Sequence, residues 1–416
     1  MRLSWRGANA LFFACSIVQF VADGHTNAFT PLYLRELGLS PPEVAVWTGL
    51  LVVVTTGMAF PLTPFWGVLA ERFSRRKIVL RSYYVYTIAL LLTAWVPDIA
   101  VLVPARALMG LGGGTIGVIV ATQALLVPRR QLGQSIAMVQ AAMPIAASLG
   151  PPLGALAIPW IGLRWLFAAD AGATLLAALA LTLLMPEPAG PVGSGSVLRR
   201  TGEVLKVSWT LKPVRWNFIC AAALRGATAV VDSYLPVRIT QLAADPASAI
   251  GWILGVYGGL TSVATWLVGR ILHRVEEATI YTRAVFAATL LTAGMAIAPS
   301  VWLLGLLAVA RSVPVAFGNT VLHSHNAGVV PRAHQTAVLG MSPMPRNFGG
   351  LVFPLVAAAV AGLAPGAALA VGALGYAASS LAGIKLRRAT RAYVAQTAAS
   401  DAPERSEGAT DVARGV

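Results

Sequence analysis

Seven ionisable side chains interrupt long apolar runs: Asp23, Arg106, Asp170, Arg225, Asp232, Arg311 and Arg346. A carboxylate in apolar surroundings can take up and release a proton. A guanidinium there can hold an anionic group, guard against a cation, or bias a nearby carboxylate. His25 and Asn27 stand close to Asp23, and Asn27 lies one helical turn on, on the same face. Arg225 and Asp232 are seven apart, which puts them on one helix face, two turns from each other and too far to pair directly. Asp23 is either a proton carrier or a structural partner for Arg225 or Arg106; a carboxylate that exchanges partners would be both. Asp170 is expected in a structural or lipid-edge role. His323 and His325 cannot share a helix face at a spacing of two, which argues against a metal pair, where a spacing of four is preferred. His323, Gln123, Gln140 and Asn319 remain as polar candidates for a binding cavity. No Gly-x-x-x-x-Gly-Lys-Ser/Thr loop is present, so energy for any driven process must come from a gradient. Cys15 and Cys220 carry neither disulfide nor metal spacing and read as packing residues. No cofactor and no metal are expected.

The elements that must position these groups are membrane spans. Of 416 residues 57% are hydrophobic and 11% charged, against roughly 25% charged in an average soluble domain. Apolar runs of about 20 residues recur, the length that crosses a hydrocarbon core of roughly 30 Å. They are continuous rather than alternating, so they read as helices and not as barrel strands. Twelve spans are placed near 10–34, 44–68, 78–97, 99–127, 136–160, 163–185, 214–240, 248–271, 280–299, 301–328, 336–362 and 365–385. Arg2 and Arg6 before the first run imitate a signal peptide, but the run continues past Asp23 to Leu34 without a small-residue cleavage site, so it is expected to be retained. Residues 186–213 interrupt the pattern with Pro186, Pro188, Pro191, Gly193 and Gly195, then with basic residues. The expected organisation is a six-helix bundle over 1–185, a cytoplasmic linker over 186–213, a second bundle over 214–388 and a disordered cytoplasmic tail over 389–416.

The net charge of +15 would suggest nucleic acid in a soluble chain; here it sets orientation. With both termini cytoplasmic, only Arg35, Arg164 and Arg238 of the 31 lysines and arginines fall outside, and Arg106, Arg225, Arg311 and Arg346 fall within spans. The halves also repeat. Pro31 and Pro236, Pro41 and Pro246, Trp47 and Trp252, and Arg106 and Arg311 are each separated by 205 residues. Such repeats are common in transporters, with the binding site at their interface.

Three motifs add a family resemblance. The loop after span two reads Gly67-Val-Leu-Ala-Glu71-Arg72-Phe-Ser74-Arg75-Arg76-Lys77. It resembles the signature loop of the major facilitator superfamily, with Glu71 for Asp and Ser74 for the second Gly. A degenerate copy, Gly269-Arg270-Ile-Leu-His273-Arg274, has lost the acid. Arg106-Ala-Leu-Met-Gly110-Leu-Gly112 resembles that superfamily's span-four motif. Gly150-Pro151-Pro152-Leu153-Gly154 looks like the Gly-Pro-x-x-Gly element of its proton-coupled exporters; the prolines remove backbone donors and the glycines allow close packing.

The resemblance implies an all-α membrane protein of two pseudo-symmetric six-helix bundles, the major facilitator fold, similar to its drug:proton antiporters. It implies a latch at Gly67, Glu71, Arg72, Arg75 and Arg76 and a hinge at Gly150, Pro151 and Gly154; the cost of charge within the spans points to proton coupling through Asp23, biased by Arg106. The expected partners are protons, a small-molecule substrate and the lipid bilayer, with no nucleic acid, and the expected state is a monomer in a bacterial-type inner membrane. The leading expectation is secondary active efflux of a small amphipathic compound, not an enzyme. A proton symporter or facilitator importing a nutrient, and a non-transporting receptor or scaffold, are the alternatives.

Overall fold

Local signals set where the helices start and stop. Ser4 opens α1 (Trp5–Glu36), its side chain accepting from the Gly7 amide at 3.2 Å. Ser40 and Glu43 form a capping box at α2 (Pro41–Ala59), with Pro41 in the first turn. Gly38, at φ 86°, makes the tight reversal between them. Ser74 caps α3 (Arg75–Ala94) and Asp98 caps α4 (Ile99–Leu111), Asp98 accepting from two amides. The chain continues as α5 (Thr115–Leu126), α6 (Arg129–Gln140) and α7 (Ala142–Leu184). The second half comprises α8 (Lys212–Leu242), α9 (Pro246–Ile271), α10 (Glu277–Ile297), α11 (Val301–Val329), α12 (Pro343–Ala361) and α13 (Ala367–Ala413). This is a computed structural model that describes residues 3–61, 74–113, 115–186, 209–271, 276–329 and 343–413.

Among the described residues, eleven stretches are long and apolar enough to cross a membrane. One of them is two spans. At 43 residues, a straight α7 would be roughly 65 Å long, about twice a bilayer core. It turns back at Gly162, whose φ of 74° only glycine adopts without strain. Its first part with α6 forms span five, its second part span six, and α4 with α5 forms span four. Twelve spans result, and no strand occurs among the described residues.

Within the first half α1 and α3 pack on α7, and α2 on α4. Within the second, α8 packs on α12 and α13, α10 on α11 and α13, and α9 on α11. The halves meet where α9 lies on α7 and α12 lies on α2. Glycines bring these surfaces together. A Cβ on Gly251 would stand 2.3 Å from Ala155 Cβ, and one on Gly255 would stand 2.4 Å from Pro152. At the ends assigned above to the outside, Arg35 donates to the Thr240 carbonyl at 3.0 Å. Large apolar side chains face outward, Trp160, Trp302 and Ile297 among the most exposed, as a hydrocarbon solvent requires.

The tail differs from expectation. Helix α13 does not end near 385 or give way to disorder at 389; it runs to Ala413. Helix-favouring Ala389, Ala392 and Ala395 carry it on, and Arg391 ties it to Glu276 at 2.8 Å. Most of the expected linker lies outside the described residues.

Candidate functional site: a charged cavity between the halves

A cavity of ≈ 260 Å³ lies between the two halves, walled by α1, α2, α4, α8 and α12. Six of the charged and polar candidates face it: Asp23, Asn27, Arg106, Arg225, Asp232 and Arg346. They share it with hydroxyl and amide groups whose types gave no signal in the sequence, including Thr30, Thr48, Thr55, Ser233 and Asn347.

The two acidic residues are held differently. Asp23 Oδ1 accepts from the Tyr86 hydroxyl at 3.1 Å and makes no direct ion pair among the described residues. Arg106, 5% exposed, instead donates to the Thr26 carbonyl at 3.3 Å, to the Thr30 hydroxyl and toward Met109 sulfur. Asp232 lies 3.6 Å from Arg311 and accepts from Tyr257 at 3.4 Å. Arg311 is fully buried; it also donates to Tyr257 at 3.1 Å and to Tyr376, and lies over both rings. Arg225 lines the cavity with no hydrogen bond or ion pair among the described residues. Arg346 donates to His323 Nε2 at 2.8 Å, and His323 Nδ1 faces the Asn319 carbonyl at 2.7 Å. That ring is therefore neutral, with its hydrogen on Nδ1.

Several candidates sit elsewhere. His25 does not line the cavity: it is buried against Asp170 and the Gly150 carbonyl. Asp170 is correspondingly not at a lipid edge but 8% exposed and paired. Gln123 is buried away from the cavity, donating to Asn9 and to Ser135, and knits α1, α5 and α6 together. Gln140 is exposed. Asn319 donates to the Val315 carbonyl at 3.2 Å, and His323 reaches the cavity only through Arg346. Asn319 bonds one turn back on its own helix, and Gln123 donates to neighbouring helices, which composition alone does not reveal. His325 stands 3.4 Å from Glu277, and its Nε2 faces Thr390 at 3.1 Å.

The hinge residues are close-packed. Gly154 leaves room for His25 and Phe29: a Cβ there would stand 2.8 Å and 2.5 Å from their rings. The Pro151 carbonyl and Pro152 meet Gly251 and Gly255 across the half–half boundary. Of the latch, Gly67, Glu71 and Arg72 lie outside the described residues, as do His273 and Arg274. Arg75 opens α3, and Arg76 donates to the Thr182 carbonyl at the end of α7. Among the described residues no cluster of three His, Cys, Asp or Glu could hold a metal.

Comparison with known proteins gives three findings. The model of the Major Facilitator Superfamily matches residues 11–354. "Multidrug resistance protein MdtG" of Enterobacter lignolyticus is 29% identical over 287 residues, 67% of this chain and 68% of that one; its counterpart in Citrobacter koseri is 29% identical, at 67% and 70%. Among solved structures, the D-xylose-proton symporter superposes with a TM-score of 0.73 at 15% identity, covering 92% of this chain and 97% of that one. The nucleoside transporter NupG superposes at 0.77 and 14%, covering 92% and 99%.

Proposed function

Because this chain belongs to the Major Facilitator Superfamily, we propose that it is a proton-driven exporter of small amphipathic compounds in a bacterial inner membrane, working by alternating access with both termini cytoplasmic. The observation that carries the reading is Asp23, a carboxylate on the wall of the cavity between the halves, held by a tyrosine rather than by a cation. Asp23 takes a proton when the cavity faces outward and gives it up when the cavity faces inward. Ionised, it attracts Arg106 and Arg225 across the cavity and draws α1 toward α4 and α8. Protonated, it lets go, and the halves rock about the α7–α9 and α2–α12 contacts. The segment Gly150–Gly154 serves as the pivot of span five. The relatives named multidrug resistance proteins support export.

A specific observation favours one alternative. With Asp232 committed to Arg311, the cavity leaves Arg106, Arg225 and Arg346 facing Asp23 alone. A proton on Asp23 would then strengthen the binding of an anion, and by linkage the anion would strengthen proton binding. Mutual assistance of that sign is the thermodynamics of symport.

One assay separates the two. Inverted membrane vesicles with an acidic interior are offered cationic, neutral and anionic amphipathic dyes. Export predicts uptake that collapses with the gradient and is lost in Asp23→Asn. Uptake confined to intact cells at acid external pH, and to anionic compounds, would replace export with import.

A further inference from the structure

Both nitrogens of the His25 ring are committed to oxygen. Nδ1 lies 3.0 Å from each Asp170 oxygen, and Nε2 lies 2.8 Å from the Gly150 carbonyl oxygen. The ring is 4% exposed and Asp170 8%. A carbonyl can only accept, so Nε2 carries a hydrogen. The second contact then needs a hydrogen of its own, either on Nδ1 and donated to the carboxylate, or on the carboxyl and donated to Nδ1. In both arrangements the pair holds one proton more than a neutral imidazole and a carboxylate hold together. Without that proton, a ring lone pair faces an oxygen lone pair at one of two buried contacts, and one of them must open.

The seat of this ring is the Gly-Pro segment itself. Gly150 supplies the carbonyl, and Gly154 supplies the space, since a Cβ there would stand 2.8 Å from Cδ2 and 3.0 Å from Nε2 of His25. The other side of the same turn carries Ala155 and the Pro151 carbonyl, which meet Gly251, and Pro152, which meets Gly255. One helix thickness therefore separates the proton from the boundary between the halves.

Tyr86 of α3 is close enough to Asp170 to interact with its charge; the other charged and titratable groups nearby are engaged elsewhere. From α1 comes Asp23, two residues earlier, which is bonded to Tyr86 of α3. From α4 comes Arg106, bonded to Thr26 and Thr30. Arg225 of α8 faces the cavity. The nearby titratable group of α9, Tyr257, turns to Asp232 and Arg311.

We propose that His25 and Asp170 form a second proton-binding site, separate from Asp23, whose proton fastens spans one and six to the span-five turn that bears on the other half. Loss of this proton frees the turn from α1 and loosens the α7–α9 boundary. The site is a positioning device and holds whether the transporter exports or imports.

The test uses the full chain in lipid nanodiscs, labelled with ¹⁵N-histidine. The sequence has five histidines, and His25→Gln identifies the relevant ring by subtraction. As pH is raised, that ring should pass from a form with Nε2 protonated and a second proton shared with the carboxyl to one bearing a free lone pair. Hydrogen exchange of amides 153–158, corrected for its intrinsic pH dependence, should rise over the same interval, and should be flat in His25→Gln. Asp170→Asn should displace or abolish the transition, because the carboxylate that shares the proton is gone; Asp170→Glu should restore it. A ring that keeps one protonation state throughout, or a transition that ignores Asp170→Asn, overturns the proposal. Neither readout requires a substrate. Asp23→Asn should leave both intact while abolishing coupled transport, so failure here is distinguishable from failure of the transport reading.

Discussion

The two halves place corresponding side chains in unequal circumstances. At the offset of 205, Arg106 answers to Arg311, Asp23 to Thr228, Asn27 to Asp232, His25 to Val230 and Asp170 to Gly375. In the second half the arginine is saturated. Arg311 has one carboxylate and two tyrosine hydroxyls around it, and Thr228 completes the ring of bonds at 3.0 Å from Tyr376. Where the first half has the His25–Asp170 pair, the second has Val230 and Gly375, and Phe353 fills the space beside that glycine. The first half leaves its carboxylate and its arginine facing one cavity without an ion bond between them. On the transport reading proposed above, the second half is the scaffold and the first is the half that titrates.

The largest effect that could break this comparison is on coupling. Asp23→Asn should lower proton-driven transport by about 100-fold or more, the scale of losing a proton-transfer group, with the protein still inserted. Asp232→Asn should cost far less, because its charge serves Arg311. Transport driven by an imposed proton gradient in proteoliposomes reads both. The reverse order would move proton coupling to the second half.

Stability should rank the halves the other way. Arg311→Met takes the cation from Asp232 and one bond from each of two tyrosine hydroxyls, and removing one member of a buried pair costs about 3–5 kcal/mol. The carboxylate's side chain keeps 43% of its exposure, so the lower end is expected. Arg106→Met removes a donor from a hydroxyl and a carbonyl that stay bonded to each other, Thr30 to Thr26, and should cost roughly 1–2 kcal/mol. Thermal unfolding in one detergent compares them; equal losses would mean that Arg106 is as structural as Arg311.

Lipid explains which parts of this contrast were legible in the sequence. A charge in hydrocarbon costs about 3 kcal/mol or more, so a retained one announces itself, and Asp23, Arg106, Arg225, Asp232 and Arg346 all reach the cavity. Apolar runs announced the spans for the same reason, and the offset flagged Arg311 before its partners were known. What could not be read was pairing. His25 and Asp170 are 145 residues apart, and no spacing rule joins residues on different helices. Gln123 and Asn319 misled because a polar side chain in a bundle can be satisfied by a carbonyl one turn away or by a neighbouring helix as readily as by a cavity. Tyr86, Tyr257 and Tyr376 were invisible because tyrosine is equally at home in packing and at membrane interfaces.

A smaller effect tests the boundary at which the halves meet. A Cβ on Gly49 would stand 2.1 Å from the Tyr234 hydroxyl and 2.8 Å from Ala358 Cβ. Gly49→Ala should therefore destabilise by about 1–3 kcal/mol, the range for overpacking. The Tyr234 hydroxyl is buried with no partner among the described residues, so Tyr234→Phe should be close to neutral by itself and should recover part of the loss in the double variant. Strict additivity in that cycle would show that the two do not touch.

The smallest effect lies at the ends that the proposed topology turns to the cytoplasm, where the halves use opposite chemistry for the same task. In the first, Arg76 at the start of α3 holds the end of α7 by a backbone carbonyl. In the second, Glu276 before α10 holds α13 by Arg391, at 2.8 Å through two bonds. The Arg391 side chain holds the Glu276 carboxyl below the usual carboxylate range, helped by the Thr279 hydroxyl. A lowered carboxyl stabilises the fold only while ionised: its contribution is complete above the unfolded value and disappears as pH falls through the folded one. Acid should therefore release α13 beyond Arg391 while leaving the α3–α7 end fastened, because a carbonyl has no proton to gain. Both partners are largely exposed, so the effect is confined to fraying. Limited proteolysis of the α13 extension should quicken below about pH 4, near where an ordinary carboxylate titrates, and Arg391→Ala should be cut at the faster rate already at neutral pH. If acid loosened both ends equally, the difference in chemistry between the halves would carry no consequence at this edge.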